Sequence, residues 1–201
     1  MSEIIRLPEH IIVSDVVPTF VFLVLVLPLA EETGFIWGLS SYDALFTGLL
    51  YITLSVILYP LLGPILRRIG GKIFECFDKK LHRHKYTKTL KELIKRYDLD
   101  ELWIRLSQEE KDELMGYSAD RLMYTSLFCV FLAYSVILVV LLFLSPNPSV
   151  PIVHQNFKVN KLLLLALSVT AVVVCYFAAR SIILMIVEVF YQRLARRYFG
   201  S

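Results

Sequence analysis

Lys79, Lys80, Arg83, Lys85, Lys88 and Lys91 crowd into one short stretch of the chain, with Tyr86 among them and Tyr97 just beyond. Closely spaced cations meet phosphate oxygens and release counterions on binding, while tyrosine faces stack on bases. The pattern therefore suits an anionic ligand such as a nucleotide or a single-stranded nucleic acid. It equally suits a flank lying on anionic lipid head groups, or one that pairs with acids elsewhere in the chain or on a cytoplasmic partner protein. From residue 67 to 97 there are eleven Lys or Arg against Glu75, Asp78 and Glu92, a net of +8. From 98 to 120 two cations face eight acids, a net of −6.

A second set of polar residues lies within apolar sequence. Thr47, Tyr51, Ser55 and Tyr59 recur every four residues, which puts them on one helical face. Lipid favours leucine there, so the stripe should face other helices or water. It can bond helix to helix inside a bundle, or it can line a pore whose hydroxyls replace the water around an ion. The pore reading requires several copies around one axis, because four helices alone enclose little space. Asp15 and Arg180 are isolated charges in apolar surroundings. Neither is readily left alone against lipid, so they are expected to pair near the inner edge of the membrane. Ala171, Cys175 and Ala179 share a face at the same spacing and predict close helix packing.

His82, His84, Cys76 and Glu75 resemble metal ligands by type, yet an i, i+2 pair on a helix diverges, so no metal site is expected. The sequence holds no HExxH, GxSxG, CxxC or Walker pattern and no acidic cluster deep in an apolar stretch. Neither an enzyme nor a cofactor is expected.

These residues must be positioned by helices in lipid. Of 201 residues, 57% are hydrophobic and 19% charged, too apolar for a soluble domain to hide in its core. The apolar residues gather in four blocks, at about 11–30, 44–66, 122–144 and 162–189, against a need of roughly 20 residues per crossing. The fold expected is all-α and polytopic: a hairpin of spans in 1–66, a short helical cytoplasmic segment in 67–121, and a second hairpin in 122–201. In the first span, Ser14 or Asp15 reads as an N-cap with Pro18 in the opening turn. Pro60, Gly63 and Pro64 should kink the end of the second, and Gly70 and Gly71 should interrupt the exit. Short helices are expected at 72–84, 88–97, 100–106 and 108–115, with Ser107 and Glu110 as a capping box and Gly116 as a stop.

Connections 1–10, 67–121 and the tail after 189 together carry eighteen Lys or Arg, against two in 31–43 and 145–161. Cations are retained on the cytoplasmic side, so both termini and the central segment are expected there, in a bacterial or archaeal cytoplasmic membrane. Residues 1–10 lack the basic start and cleavage site of a signal peptide, so the first span should be retained. Cys129 and Cys175 fall in spans and Cys76 in the cytoplasmic segment, so no disulfide is expected.

By layout, four short-looped spans plus the basic segment 67–97, the chain resembles the small multi-span effectors of bacterial anti-phage systems. In those, a cytoplasmic part senses a nucleotide or oligonucleotide and the membrane part permeabilises the cell. The resemblance covers architecture and transfers no residue. It implies a homo-oligomeric channel or pore gated from the cytoplasm. A non-conducting anchor or assembly subunit that recruits a cytoplasmic protein is the alternative.

Overall fold

The computed structural model describes residues 12–32, 44–82, 107–144, 147, 149–152 and 154–186, and these are almost entirely helical. A π-turn, Ile12–Val16, runs into α1, Val17–Glu32. Helix α2 is Ala44–His82, α3 is Gln108–Leu144 and α4 is Lys161–Leu184. Strands β1, Ser149–Ile152, and β2, His154–Asn160, form an antiparallel hairpin between α3 and α4.

Helices α2, α3 and α4 are each long and apolar enough to cross a membrane, while α1 is a shorter apolar helix. Their outward faces are apolar: Phe46, Leu49 and Leu61 on α2, Phe143 on α3, and Leu162 and Phe177 on α4 are exposed. Most hydroxyls of the apolar stretches are turned inward, with Thr19, Thr47, Ser55, Thr125, Ser126, Ser135 and Ser168 buried, while Thr53 and Thr170 are exposed and bond the carbonyls one turn back. This is the reverse of a water-soluble bundle and suits a protein surrounded by lipid. The inward hydroxyls mostly bond to their own helices. Thr19 Oγ1 donates to the Asp15 carbonyl at 2.7 Å, Ser55 Oγ to that of Ile52 at 2.7 Å and Ser126 Oγ to that of Leu122 at 2.8 Å. Being small and self-satisfied, they let helices approach without leaving a bare polar group.

Several expected breaks are absent. Helix α2 runs for 39 residues through Pro60, Gly63, Pro64, Gly70 and Gly71, roughly 58 Å at 1.5 Å per residue. The helix expected at 72–84 is therefore its continuation. Pro60 and Pro64 lie one turn apart on the exposed side, so the carbonyls they leave without a donor also point outward. Gly63 and Gly70 serve contact rather than termination. A Cβ on Gly63 would stand 2.6 Å from Asp15 Cβ, and one on Gly70 would stand 2.5 Å from the Thr125 carbonyl oxygen. Likewise the helix expected at 108–115 continues past Gly116 as part of the 37-residue α3. Its start is as expected: the Ser107 N–H donates to Glu110 Oε2 at 3.0 Å and the Glu110 N–H to Ser107 Oγ at 3.2 Å.

At the start of α1, Ser14 and Asp15 are not caps but lie inside the π-turn. Pro18 cannot donate to the carbonyl one α-turn back, and a π-turn hands that acceptor to the next N–H along the chain. The hairpin is a further departure from an all-α reading. Val150 of β1 is buried with Leu29 of α1, Tyr134 and Leu138 of α3 and Leu164 of α4, forming a core at the hairpin end of the bundle. A second core, at the other end, joins Phe74 of α2 and Phe128 of α3 to Cys175, Tyr176, Ala179 and Ile183 of α4.

Candidate functional site

Charged residues that enter this apolar bundle meet partners on other helices. Asp15 is held by the close approach of the π-turn to Gly63 of α2. One turn further along α2, Arg67 Nη1 lies 3.7 Å from Asp15 Oδ2. Asp15 Oδ1 is buried with no hydrogen-bond partner. Asp78, at the far end of α2, is only 1% exposed. Its Oδ1 accepts a hydrogen bond from the Tyr176 hydroxyl at 2.9 Å, and Arg180 Nε lies 3.9 Å away. At that separation the arginine supplies charge without a hydrogen bond, and Arg180 Nε indeed has none.

The expected Asp15–Arg180 pair is thus replaced by two others, Asp15–Arg67 and Asp78–Arg180. The physical reason is helical register. Arg67 follows Gly63 by four residues and so overlooks the same π-turn, whereas Arg180 follows Tyr176 by four and faces the end of α2. Around Asp78 stands an aromatic group. Phe74 and Phe128 meet edge to face at 6.0 Å between ring centroids, Phe74 and Tyr176 lie at 5.4 Å, and Phe77 and Phe128 at 5.7 Å. These rings keep water from the carboxylate and make its two partners necessary.

The hydroxyl stripe faces the interior of one chain. Thr47, Tyr51 and Ser55 are each 1% exposed and Tyr59 is half-buried, so they do not present a surface to an oligomer axis as a pore lining would. The small-residue face of α4 has Cys175 and Ala179 buried and Ala171 half-buried. Of the anion-binding candidates, Lys79 is exposed near the end of α2 and Lys80 belongs to the same helix. Arg83, Lys85, Lys88, Lys91, Tyr86 and Tyr97 lie outside the described residues, as do the helices expected at 88–97 and 100–106. Among the described residues no three His, Cys, Asp or Glu side chains gather where they could hold a metal. Cys76 is exposed, and Cys129 and Cys175 are buried, all three as free thiols.

Three features escaped the sequence reading. Asp78 counted only as one acid in a basic segment, yet Leu66, Gly70, Phe74 and Asp78 recur every four residues on α2 and are all buried. Tyr176 gave no polar signal beside Cys175. Lys161 counted as an outer cation, but it is 1% exposed and its Nζ donates to the Leu141 carbonyl at 3.0 Å. That carbonyl is among the last four of α3 and has no donor of its own within the helix. A cation there also meets the negative end of the helix dipole. Near the start of α3, the Tyr117 hydroxyl bonds Glu113 at 3.1 Å, and this bond is the main cause that raises the phenol above its ordinary pKa.

Among the described residues the arrangement neutralises charge and ties helices together. No known protein family, curated protein or solved structure matches the chain.

Proposed function

We propose that the chain is a four-span protein of a cytoplasmic membrane that anchors and orients a cytoplasmic recruiting segment, 67–121. The first span consists of the π-turn together with α1, and both termini lie in the cytoplasm. The observation that carries this reading is the destination of the polar side chains. The Thr47, Tyr51 and Ser55 stripe is buried within one chain, and the buried hydroxyls of the other helices bond to carbonyls beside them or, for Ser135 and Ser168, also to each other between α3 and α4 at 2.9 Å. A bundle closed on itself in this way is a holder rather than a conduit. Orientation is supported by the eighteen-to-two distribution of cations. It is also supported by the exposed face of α2, which through Ile65 is apolar except for Thr53, whose hydroxyl bonds the Leu49 carbonyl, and then carries Arg68 and Lys72.

A second reading, a homo-oligomeric channel or pore gated from the cytoplasm by an anionic nucleotide or nucleic acid, is favoured by the continuity of α2 and α3. Both run without interruption from membrane-length apolar sequence into the charged segment. Pro60 and Pro64 remove two backbone hydrogen bonds from α2 just before the Asp15–Arg67 pair, which is where a gating bend would form. In that case the conduit lies between copies, and an anti-phage effector role follows from the layout.

Proteoliposomes separate the two. Purified protein enclosing an ion-sensitive dye should stay sealed with and without nucleotides or short single-stranded oligonucleotides at low salt. Ion flux that depends on one of these ligands would overturn the anchor reading and establish the channel.

A further inference from the structure

Helix α2 touches its neighbours in sequence along its length: the π-turn at Gly63, α3 at Gly70, and α4 at Phe74 and Asp78. The last contact differs from the others in kind. Gly70 meets the backbone of α3 and Gly63 meets the Cβ and Cα of Asp15, atoms that cannot turn aside, so neither contact admits an alternative arrangement short of parting the helices. The contact to α4 is made by long side chains, and its polar half is incomplete. Asp78 is buried and has one short bond, from Tyr176, and one loose charge contact at 3.9 Å, from Arg180. A buried carboxylate with two partners is stable; with one it is driven back toward water. Asp78 lies four residues from the end of α2 and beyond Arg68 and Lys72, so water is close if the helix end moves.

We infer that Asp78, Tyr176 and Arg180 form a releasable clasp with two positions. In the closed position the projecting end of α2 lies against α4 with Asp78 dry. In the open position it swings away and Asp78 is hydrated. The aromatic group of Phe74, Phe77 and Phe128 favours closure by burying apolar surface, and the charge of Asp78 opposes it unless both partners are present. This rests on the reading that α2 leaves the membrane beyond Arg68, and does not depend on whether the protein anchors or conducts.

The test is amide hydrogen exchange of the full chain in lipid nanodiscs, comparing 70–82 with 122–144. Tyr176→Phe keeps the ring and removes only the hydroxyl that bonds Asp78. It should speed exchange in 70–82 by about ten- to a hundred-fold, the range for losing a hydrogen bond to a charged group, and leave 122–144 unchanged. In an Asp78→Asn background the acceptor is a neutral amide oxygen and no charge is left to be hydrated, so adding Tyr176→Phe should change exchange about ten-fold less than it does in the wild-type background. A spin label on Cys76, the exposed thiol, should gain mobility in Tyr176→Phe and not in the double variant. Unchanged exchange in Tyr176→Phe would overturn the clasp. So would an equal rise in both regions, or the same effect of Tyr176→Phe in both backgrounds, because either would mean simple loss of packing. Sealed or leaking liposomes bear only on the anchor and channel readings, so the two outcomes stay separate.

Discussion

Gly70 and Gly71 are adjacent in the middle of one helix, and the structure assigns opposite signs to the same substitution at the two. A methyl group on Gly70 would lie 2.5 Å from the Thr125 carbonyl oxygen, 3.0 Å from its carbon and 3.1 Å from Ser126 Cα. All three are backbone atoms of α3, so no side chain can turn away. Ordinary van der Waals contact requires the helices to part by roughly 1 Å locally, and overpacking of this kind costs about 1–3 kcal/mol. Alanine also gains about 0.5–1 kcal/mol over glycine in a helix, which offsets part of that cost. Gly70→Ala should therefore destabilise by about 1–2 kcal/mol. Gly71 has no atom within 4 Å of the same position, so Gly71→Ala should stabilise by the helical gain alone, about 0.5–1 kcal/mol. For a chain of this size a change of 1 kcal/mol moves Tm by about 2–4 °C. Thermal melting followed by circular dichroism in one detergent should show Gly70→Ala falling and Gly71→Ala rising. If both variants rise alike, Gly70 does not meet α3 and the account of α2 as one helix crossing the bundle fails.

Two other substitutions probe the ends and the interior. Lys161→Met keeps the apolar stem and removes the bond to the Leu141 carbonyl, so it should destabilise by about 1.5–3 kcal/mol in denaturant titration; no change would mean that the carbonyl is served equally well by water. Ser55→Leu places a large side chain where Ser55 is 1% exposed, and it should lower stability by about 1–3 kcal/mol. Wild-type stability with an altered ion current would instead put Ser55 at an interface between copies.

The apolar blocks made the helices legible because a membrane crossing needs an uninterrupted length that nothing else in a short chain requires. The end of α3 at Leu144 and the Ser107–Glu110 cap were legible too, since both follow from local chemistry. Glycines and prolines misled for a reason that lipid supplies. In water they mark the ends of helices, because an unmade backbone bond finds a solvent partner there. Inside a bundle in lipid an exposed helix end costs more than a missing donor, so α2 continues through Pro60 and Pro64 and uses Gly63 and Gly70 for contact. The β-hairpin was hidden by its length. Strands of four and seven residues, the first preceded by Pro146 and Pro148 and containing Pro151, read as a loop until Val150 is seen to close the core at that end.

The candidate site was half legible. Its charges could be found by their rarity in apolar sequence, but their pairing could not, because it depends on helix rotation. Asp15 and Arg180 both needed a partner, and counting depth along ideal helices made them partners of each other. What decides the matter is a residue with no charge at all. Gly63 lets the π-turn reach α2, which brings Asp15 to Arg67 and leaves Arg180 to meet Asp78. Asp78 in turn ends a buried seam that begins with Thr47 and winds around α2 through Tyr51, Ser55, Gly63, Gly70 and Phe74. The stripe that looked like a pore lining is the upper part of a longer seam. Its polar members are uncharged where lipid surrounds the bundle, and its acid, Asp78, is met by Tyr176 and Arg180 of α4. The seam as a whole fits one helix to three neighbours, and a conduit would have to be built from some other surface.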